Sequence, residues 1–184
     1  MEITLKQAQN VYETSDLIYS QEVIENALDK MATEINSRLA EQNPLVLCIM
    51  IGGLLPTAHL VTRFSFPAEL DYIHASRYNG ETTGGDIQWL VRPRSCLKDR
   101  LVLLVDDILD EGHTLKAIVD DCLLAGATEV QTAVLLDKQH GREKAIQADF
   151  KGLDVVDRYV FGFGMDYKEH LRNLPGIYAV KEDG

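Results

Sequence analysis

The chain is short of positive charge and of cysteine. Its 184 residues include 18 Lys and Arg against 29 Asp and Glu, which gives a formal net charge of −11. Such a surface repels phosphate backbones, so we expect no nucleic acid as a partner, although a local site can oppose the overall sign. The three cysteines, Cys48, Cys96 and Cys122, are odd in number and far apart. They indicate reduced thiols in a cytoplasmic protein.

Other missing features narrow the class of protein. No apolar run approaches the length of a membrane span, so we expect no membrane association. The N-terminal segment MEITLKQAQN lacks the charged-then-apolar order of a secretory signal. Internal repeats, low-complexity segments and Pro/Gly-rich linkers are also missing. The length and the 46% hydrophobic content predict a single domain over residues 1–184.

Apolar spacing along the chain predicts helices that alternate with strands. A helix is predicted over 20–41, with Ser20 as its N-cap and one buried stripe formed by Ile24, Leu28, Met31, Ile35 and Leu39. Further helices are predicted over 56–63 and 114–125, and strands over 45–51, 69–75, 87–91, 100–105 and 130–136. This alternation favours an α/β fold with a parallel sheet. From Asp154 onward we expect short strands and turns that form a small cap.

The segment VDDILDEGHTL, residues 105–115, joins a predicted strand to a predicted helix. Ligands of parallel sheets bind beyond the carboxyl ends of the strands, and a helix N-terminus offers N–H groups to an anion. Gly112 allows close backbone approach, and Thr114 can donate a hydroxyl. These features suit a phosphate group.

The acidic residues of the same segment need a different role. Asp106 and Asp107 are suited to sugar hydroxyls or magnesium, and Asp110 is the candidate proton acceptor. Together with the turn they indicate a sugar phosphate as ligand. Two alternatives are an acidic turn in which Asp110 or Glu111 only caps the helix, and a metal-binding acidic pair of the receiver-domain kind.

In this segment the chain resembles the type I phosphoribosyltransferases. Nearly the whole chain is similar to their 6-oxopurine branch, the hypoxanthine-guanine phosphoribosyltransferases, through four further segments: IGGLLPTAHL, DYIHASRYNGETTGGDI, VLLDKQ and DRYVFGFGMDYKEHLRNLP. The resemblance implies the type I phosphoribosyltransferase fold, in which helices flank a central parallel sheet. It also implies a core over about 20–153 and a small hood subdomain formed by the N-terminal segment and about 154–184.

The resemblance implies a binding site for phosphoribosyl pyrophosphate (PRPP). The ribose hydroxyls would bind Asp106 and Asp107, and Mg2+ would bind the same two residues and Asp166. The pyrophosphate would bind backbone amides of Gly52 and Gly53, in a loop that usually carries a non-proline cis peptide, and the side chain of Arg172. The implied contacts of the 5′-phosphate are Asp110, Glu111, Gly112, His113 and Thr114.

The purine site is implied in the same way. Lys138 would contact the exocyclic oxygen of a 6-oxopurine, Tyr159 would stack on the ring, and Val160 would read a 2-amino group through its backbone carbonyl. Asp110 would be the catalytic base that takes the N7 proton, which makes N9 a better nucleophile. Taken singly, Lys138 could be a surface lysine and Tyr159 a core residue.

Residues 76–86 are rich in Gly, Thr and polar residues and predict an exposed loop. The resemblance implies that this loop closes over the site and excludes water. Tyr78 matches the tyrosine of the family's Ser-Tyr pair, whereas Arg77 replaces the serine and is a candidate pyrophosphate contact. Ile51 also departs from the pattern, because many relatives have Lys or Arg at that position.

The implied reaction converts hypoxanthine or guanine and PRPP into IMP or GMP and pyrophosphate, and it needs Mg2+. Two alternatives are a xanthine-preferring phosphoribosyltransferase and an RNA-binding regulator that senses PRPP or a purine on the same fold. Adenine is disfavoured because adenine enzymes lack the lysine after the strand. The family usually forms dimers or tetramers, so we expect a homo-oligomer.

Overall fold

A computed structural model describes residues 3–77 and 87–181 of the chain. Its centre is a six-stranded sheet in which four of the five strand pairs are parallel. In chain order the strands are β2 (Leu45–Met50), β3 (Glu69–Arg77), β4 (Ile87–Val91), β5 (Leu101–Leu109), β6 (Glu129–Gln139) and β7 (Phe150–Val156). They lie in the order β4-β3-β2-β5-β6-β7, and only the edge strand β4 is antiparallel to its neighbour. The predicted α/β fold is therefore confirmed.

Helices cover both faces of this sheet. On one face lie α2 (Gln21–Leu39) and α3 (Leu54–Val61), which pack on alternate side chains such as Val46, Leu103 and Val105. On the other face lies α4 (His113–Leu124), which packs on Leu104 and its neighbours. Strands that are covered on both faces need continuous apolar runs. The run LVLCI, residues 45–49, and the run LVLLV, residues 101–105, are buried throughout.

The long helix α2 matches its sequence prediction. Its predicted stripe is buried, and the Ser20 hydroxyl accepts a hydrogen bond from the Val23 N–H. Helix α3 begins at Leu54 rather than at 56, because the first turn of a helix tolerates a proline such as Pro56.

A second, three-stranded sheet joins the two ends of the chain. It contains β1 (Asp16–Tyr19), β8 (Val160–Phe161) and β9 (Ile177–Ala179) in the antiparallel order β1-β9-β8. Before it lies α1 (Leu5–Thr14), which our sequence analysis did not predict; it starts with a capping box between Thr4 and Gln7. The division into core and hood stays a prediction, but β7 crosses the expected boundary, since it pairs with β6 as far as Val156.

Three strands extend past their predicted ends, β3 by two residues to Arg77, and the longer β5 and β6 matter for the site. β5 continues four residues past the predicted end at Val105, and β6 continues from 136 to Gln139. Pairing of Ile108 with Leu136 and of Leu109 with Asp137 extends the ladder, although the acidic residues are poor strand formers. Asp106, Asp107 and Lys138 are therefore strand residues and do not follow the strands.

Cys48, Cys96 and Cys122 are all free thiols, and the first and last are buried. Within residues 3–77 and 87–181, no helix has the length and apolar character needed to cross a membrane.

The buried face of α2 gives a direct test of the fold. Leu28 is fully buried, and Leu28→Ala should lower the free energy of unfolding by about 2–5 kcal/mol because it leaves a cavity. Lys30→Ala, on the exposed side of the same helix, should change it by less than about 0.5 kcal/mol. Urea titrations followed by circular dichroism measure both, and equal losses would contradict the assignment of this face.

Candidate active site

The acidic turn forms a cleft at the carboxyl edge of the large sheet. Gly112 has a positive φ of 78° and lies directly before α4, so the chain turns sharply from β5 into the helix. The first N–H groups of a helix lack partners within it, and here they face a cleft of about 350 Å³. The cleft is lined by Asp106, Ile108, Leu109, Asp110, Glu111, Gly112, His113, Thr114, Leu115 and Arg142.

Asp106 and Asp107 are held side by side at the end of the buried part of β5. The Asp107 N–H donates to Asp106 Oδ1 at 2.9 Å, and the Ile108 N–H donates to Asp107 Oδ1 at 2.8 Å. Burial raises the pKa of both carboxyls, and the adjacent Asp107 charge raises the pKa of Asp106 further. The pair therefore resists carrying two negative charges without a cation.

The loop after β2 lies against this acidic pair. A cis peptide joins Met50 to Ile51, one residue before the Gly52-Gly53 pair. A Cβ atom on Gly52 would collide with the Asp107 carboxylate, and one on Gly53 would lie 2.6 Å from the Val105 carbonyl oxygen. Both positions therefore need glycine. The Gly53 N–H donates to the Ile49 carbonyl at 2.9 Å, so this amide is already engaged inside the protein.

Arg172 and Asp166 close the site from the side of the small sheet. Arg172 Nη2 lies 2.8 Å from Asp166 Oδ1, and Arg172 Nη1 donates to the Gly164 carbonyl at 2.8 Å. The Arg172 charge also lowers the pKa of Asp107, against the larger effect of burial. A Cβ on Gly164 would collide with the Gly52 carbonyl oxygen, so the two loops touch. The predicted pyrophosphate and magnesium residues are thus brought together.

A second cleft, of about 190 Å³, adjoins the first. It is lined by Asp107, Ile108, Asp110, Lys138, Tyr159, Val160, Met165 and Asp166. Tyr159 is 53% exposed and lines this cleft, and the edge of its ring contacts Tyr167. Phe161, by contrast, is fully buried against Tyr178 and belongs to the core.

Asp110 lines both clefts and is surrounded by three basic side chains. Lys138 Nζ donates to Asp110 Oδ2 at 2.8 Å, while His140 and Arg142 approach Oδ1 at 3.2 and 3.4 Å. Burial opposes ionisation of Asp110, but the hydrogen bond from Lys138 and the neighbouring Lys138, His140 and Arg142 side chains lower its pKa overall. The carboxylate is therefore ionised and oriented in the unliganded protein.

The sequence analysis missed three residues of this cluster, namely His140, Arg142 and Asp157. Arg142 lines the phosphate-sized cleft and bridges Asp110, Glu111 and Asp157, the last at 2.9 Å. His140 lies beneath Asp110. Strand alternation does not place His140 and Arg142, because β6 ends at Gln139 and the chain turns at Gly141, whose φ is 68°.

The closing loop, Ile51 and the predicted metal ligands remain to be placed relative to the two clefts. Tyr78 and residues 78–86 of the closing loop lie outside the described residues, and for Arg77 only the backbone in β3 is described. Ile51 is exposed and directly precedes the Gly52-Gly53 pair. In the described part of the chain, no group of three or more His, Cys, Asp or Glu side chains could by itself hold a metal ion. Asp106, Asp107 and Asp166 therefore do not form a closed metal cage.

Comparison with known proteins assigns the class. The sequence profile of the phosphoribosyl transferase domain matches residues 14–170, and the chain belongs to this family. Its relatives within the family are more specific. The hypoxanthine-guanine phosphoribosyltransferase of Streptococcus pneumoniae is 35% identical over 91% of this chain and 93% of its own length.

Solved structures agree with this grouping. A hypoxanthine phosphoribosyltransferase from Staphylococcus aureus is 25% identical, with a TM-score of 0.86 over 98% of this chain and 97% of its own. A hypoxanthine-guanine-xanthine phosphoribosyltransferase is 27% identical, with a TM-score of 0.82 over 91% and 97% of the two chains. These similarities confirm the predicted family and its type I fold.

The raised pKa of Asp106 predicts how a substitution changes stability. A carboxyl whose pKa is higher in the folded chain destabilises the fold once the pH exceeds its unfolded value of about 3.9. Asp106→Asn removes this ionisation, so we expect a higher free energy of unfolding at pH 7.5 in the absence of metal. The gain should shrink as the pH falls toward 4.

Denaturant titrations in a metal chelator at several pH values measure this effect. Asp120→Asn is the control, because Asp120 is exposed and should give no gain at pH 7.5. A gain for Asp106→Asn that does not depend on pH would contradict the assigned cause.

Proposed function

We propose that the protein transfers the 5-phosphoribosyl group from PRPP to N9 of hypoxanthine or guanine, with Mg2+ as cofactor. IMP or GMP and pyrophosphate are the products. The observation that carries this proposal is the position of Asp110 between two adjoining clefts. One cleft has the chemistry for a phosphate and the other the chemistry for a flat base, so Asp110 lies where the two substrates meet.

The first cleft would hold the 5′-phosphate of PRPP. The N–H groups at the start of α4, the Thr114 hydroxyl and the positive end of the helix dipole favour an anion. The half-exposed Arg142 guanidinium adds a cation at the rim. These groups offset the nearby carboxylates of Asp110 and Glu111, which explains how a strongly acidic protein could bind a polyanion.

The second cleft would hold the purine. Tyr159 offers a ring face for stacking, and Lys138 offers a cation for a 6-oxo group. In the unliganded protein Lys138 is bound to Asp110 Oδ2. A bound 6-oxopurine would replace this internal pair with two contacts, Lys138 to O6 and Asp110 to the N7 proton. Val160 lines the same cleft, as expected of a residue that reads the 2-position.

The residues present fit a magnesium ion, which Asp106 and Asp107 would hold. Asp106 and Asp107 are adjacent, partly buried and reluctant to be doubly charged, and Mg2+ usually combines one or two carboxylates with substrate phosphates and water. Asp166 would hold a second ion only if it shared its carboxylate with Arg172, which it now binds. Such an ion, when bound, would supply positive charge that favours departure of the pyrophosphate.

We also propose a homo-oligomer, a dimer or tetramer, in the cytoplasm. The free thiols suit a reducing compartment. Leu70, Tyr72 and Leu90 are exposed on the paired strands β3 and β4, and such side chains are typical of surfaces that meet another copy.

The proposal predicts a pattern of base use. Purified protein with PRPP should convert hypoxanthine and guanine, and removal of Mg2+ by a chelator should abolish both reactions. Adenine should not react, because its 6-amino group is a donor and Lys138 has no acceptor function. Xanthine is also tested, because the name of one structural relative includes it. Xanthine as the best substrate would change the base assignment, and no turnover with any base would overturn the function.

Asp110→Asn tests the proposed base. The amide cannot take the N7 proton, so kcat should fall by about 10²–10⁴-fold, whereas the KM for PRPP should change little. Steady-state kinetics with hypoxanthine measure both values, and Asp120→Asn, far along α4, is the matched control. An unchanged kcat would remove Asp110 from the base role.

A further inference from the structure

A buried histidine lies beneath Asp110 and has no role in the function proposed above. The side chain of His140 is 0% exposed, although it belongs to a polar turn between β6 and Arg142. Burying an imidazole without hydrogen-bond partners is costly, so the surroundings of its two ring nitrogens matter. They face two different groups, and those groups determine what the side chain can do.

The hydrogen bonding of one nitrogen fixes the protonation of the other. The backbone N–H of Arg142 donates to His140 Nδ1 at 3.1 Å, so Nδ1 is an acceptor and carries no proton. The neutral ring therefore has its proton on Nε2. In the described part of the chain Nε2 makes no well-aligned hydrogen bond, and Asp110 Oδ1 lies 3.2 Å away. A small rotation would align this pair.

The two oxygens of Asp110 have different surroundings. Oδ2 receives Lys138 at 2.8 Å, and Oδ1 faces His140 and Arg142. When a base binds, Lys138 would leave Oδ2 for the purine oxygen. Arg142 is half exposed, lines the phosphate cleft and is shared with Asp157. The His140 side chain is fully buried, so it is the neighbour that can hold Oδ1 in a fixed position.

We propose that His140 is a positioning residue for Asp110. Its Nε2–H holds Oδ1, so that Oδ2 keeps its direction toward the purine cleft after Lys138 has moved to the base. The role rests on the proposed function, because it concerns the carboxylate that would take the N7 proton. Hydrogen bonds of unliganded active sites are often poorly aligned and tighten in the complex, which agrees with the geometry at Nε2.

Two substitutions separate positioning from packing. His140→Leu keeps much of the volume and removes the donor, whereas His140→Gln keeps an N–H donor near the position of Nε2. For His140→Leu we expect kcat to fall about tenfold, the size of one lost hydrogen bond to a charged group, with little change in the KM for PRPP. His140→Gln should recover most of kcat. His59→Leu is the matched control, since that imidazole faces Glu25 at 3.2 Å and lines neither cleft.

The pH profile gives a readout that a packing defect would not move. The charged groups around Asp110 are Lys138 of β6, Arg142 of the next turn, Glu111 beside it and Asp157 after β7. They are unchanged in His140→Leu, so the loss of one donor to the carboxylate should move the acid limb of kcat/KM to higher pH. A wild-type kcat and acid limb in His140→Leu would overturn the proposal. The proposal is also overturned if kcat falls as much in His140→Gln as in His140→Leu.

The contact can also be measured without turnover. Nitrogen NMR of histidine-labelled protein should find the His140 proton on Nε2, and the Nε2 resonance should shift in Asp110→Asn while that of His59 does not. A proton on Nδ1, or no response to Asp110→Asn, would overturn the proposal even if the enzyme is active. If the wild type transfers no phosphoribosyl group, the proposed function fails, and the positioning role fails with it. The same spectra then show whether the contact exists.

Discussion

The parallel pairing of β5 with β6 continues past the continuous apolar run that ends at Val105, and the arrangement of the site depends on it. Pairing of Leu109 with Asp137 brings Lys138 beside Asp110, at 2.8 Å. A ladder that ended at Val105 would leave the acidic residues and the lysine on separate loops. Because both are fixed at the ends of buried strands, the site inherits the rigidity of the core.

Opposite charges within the site are paired with each other before any ligand arrives. Lys138 is bound to Asp110, Arg172 to Asp166, and Arg142 to Asp157. These internal pairs keep the cations in place in a protein whose net charge is −11. When a ligand with anionic and carbonyl groups binds, each cation exchanges a carboxylate partner for a ligand oxygen. Few side chains become ordered on binding, so less of the binding energy is lost to that ordering.

Much of the fold and part of the site could be predicted from the sequence. The stripe on α2 and the apolar runs of β2 and β5 are unambiguous because burial on a helix face or within a parallel sheet imposes a pattern. Helix α1 buries only Ala8 and depends on its cap, so apolar spacing carries no signal for it. The extra length of β5 and β6 comes from their mutual pairing, which no local propensity reports. His140 was missed because a histidine in a polar turn looks exposed until the turn folds over Asp110.

The carboxylates of one short segment have environments that shift their pKa values in opposite directions. Burial raises the pKa of Asp106 and Asp107, whereas Lys138 and its neighbours lower the pKa of Asp110. Such a separation divides the roles: the first two suit a cation and ribose hydroxyls, and the third stays ionised as a base. A carboxylate bound to a lysine is a weak base, however. On the proposed function, the purine itself removes Lys138 from Asp110 and so raises the basicity of that carboxylate only when a substrate is present to give it a proton.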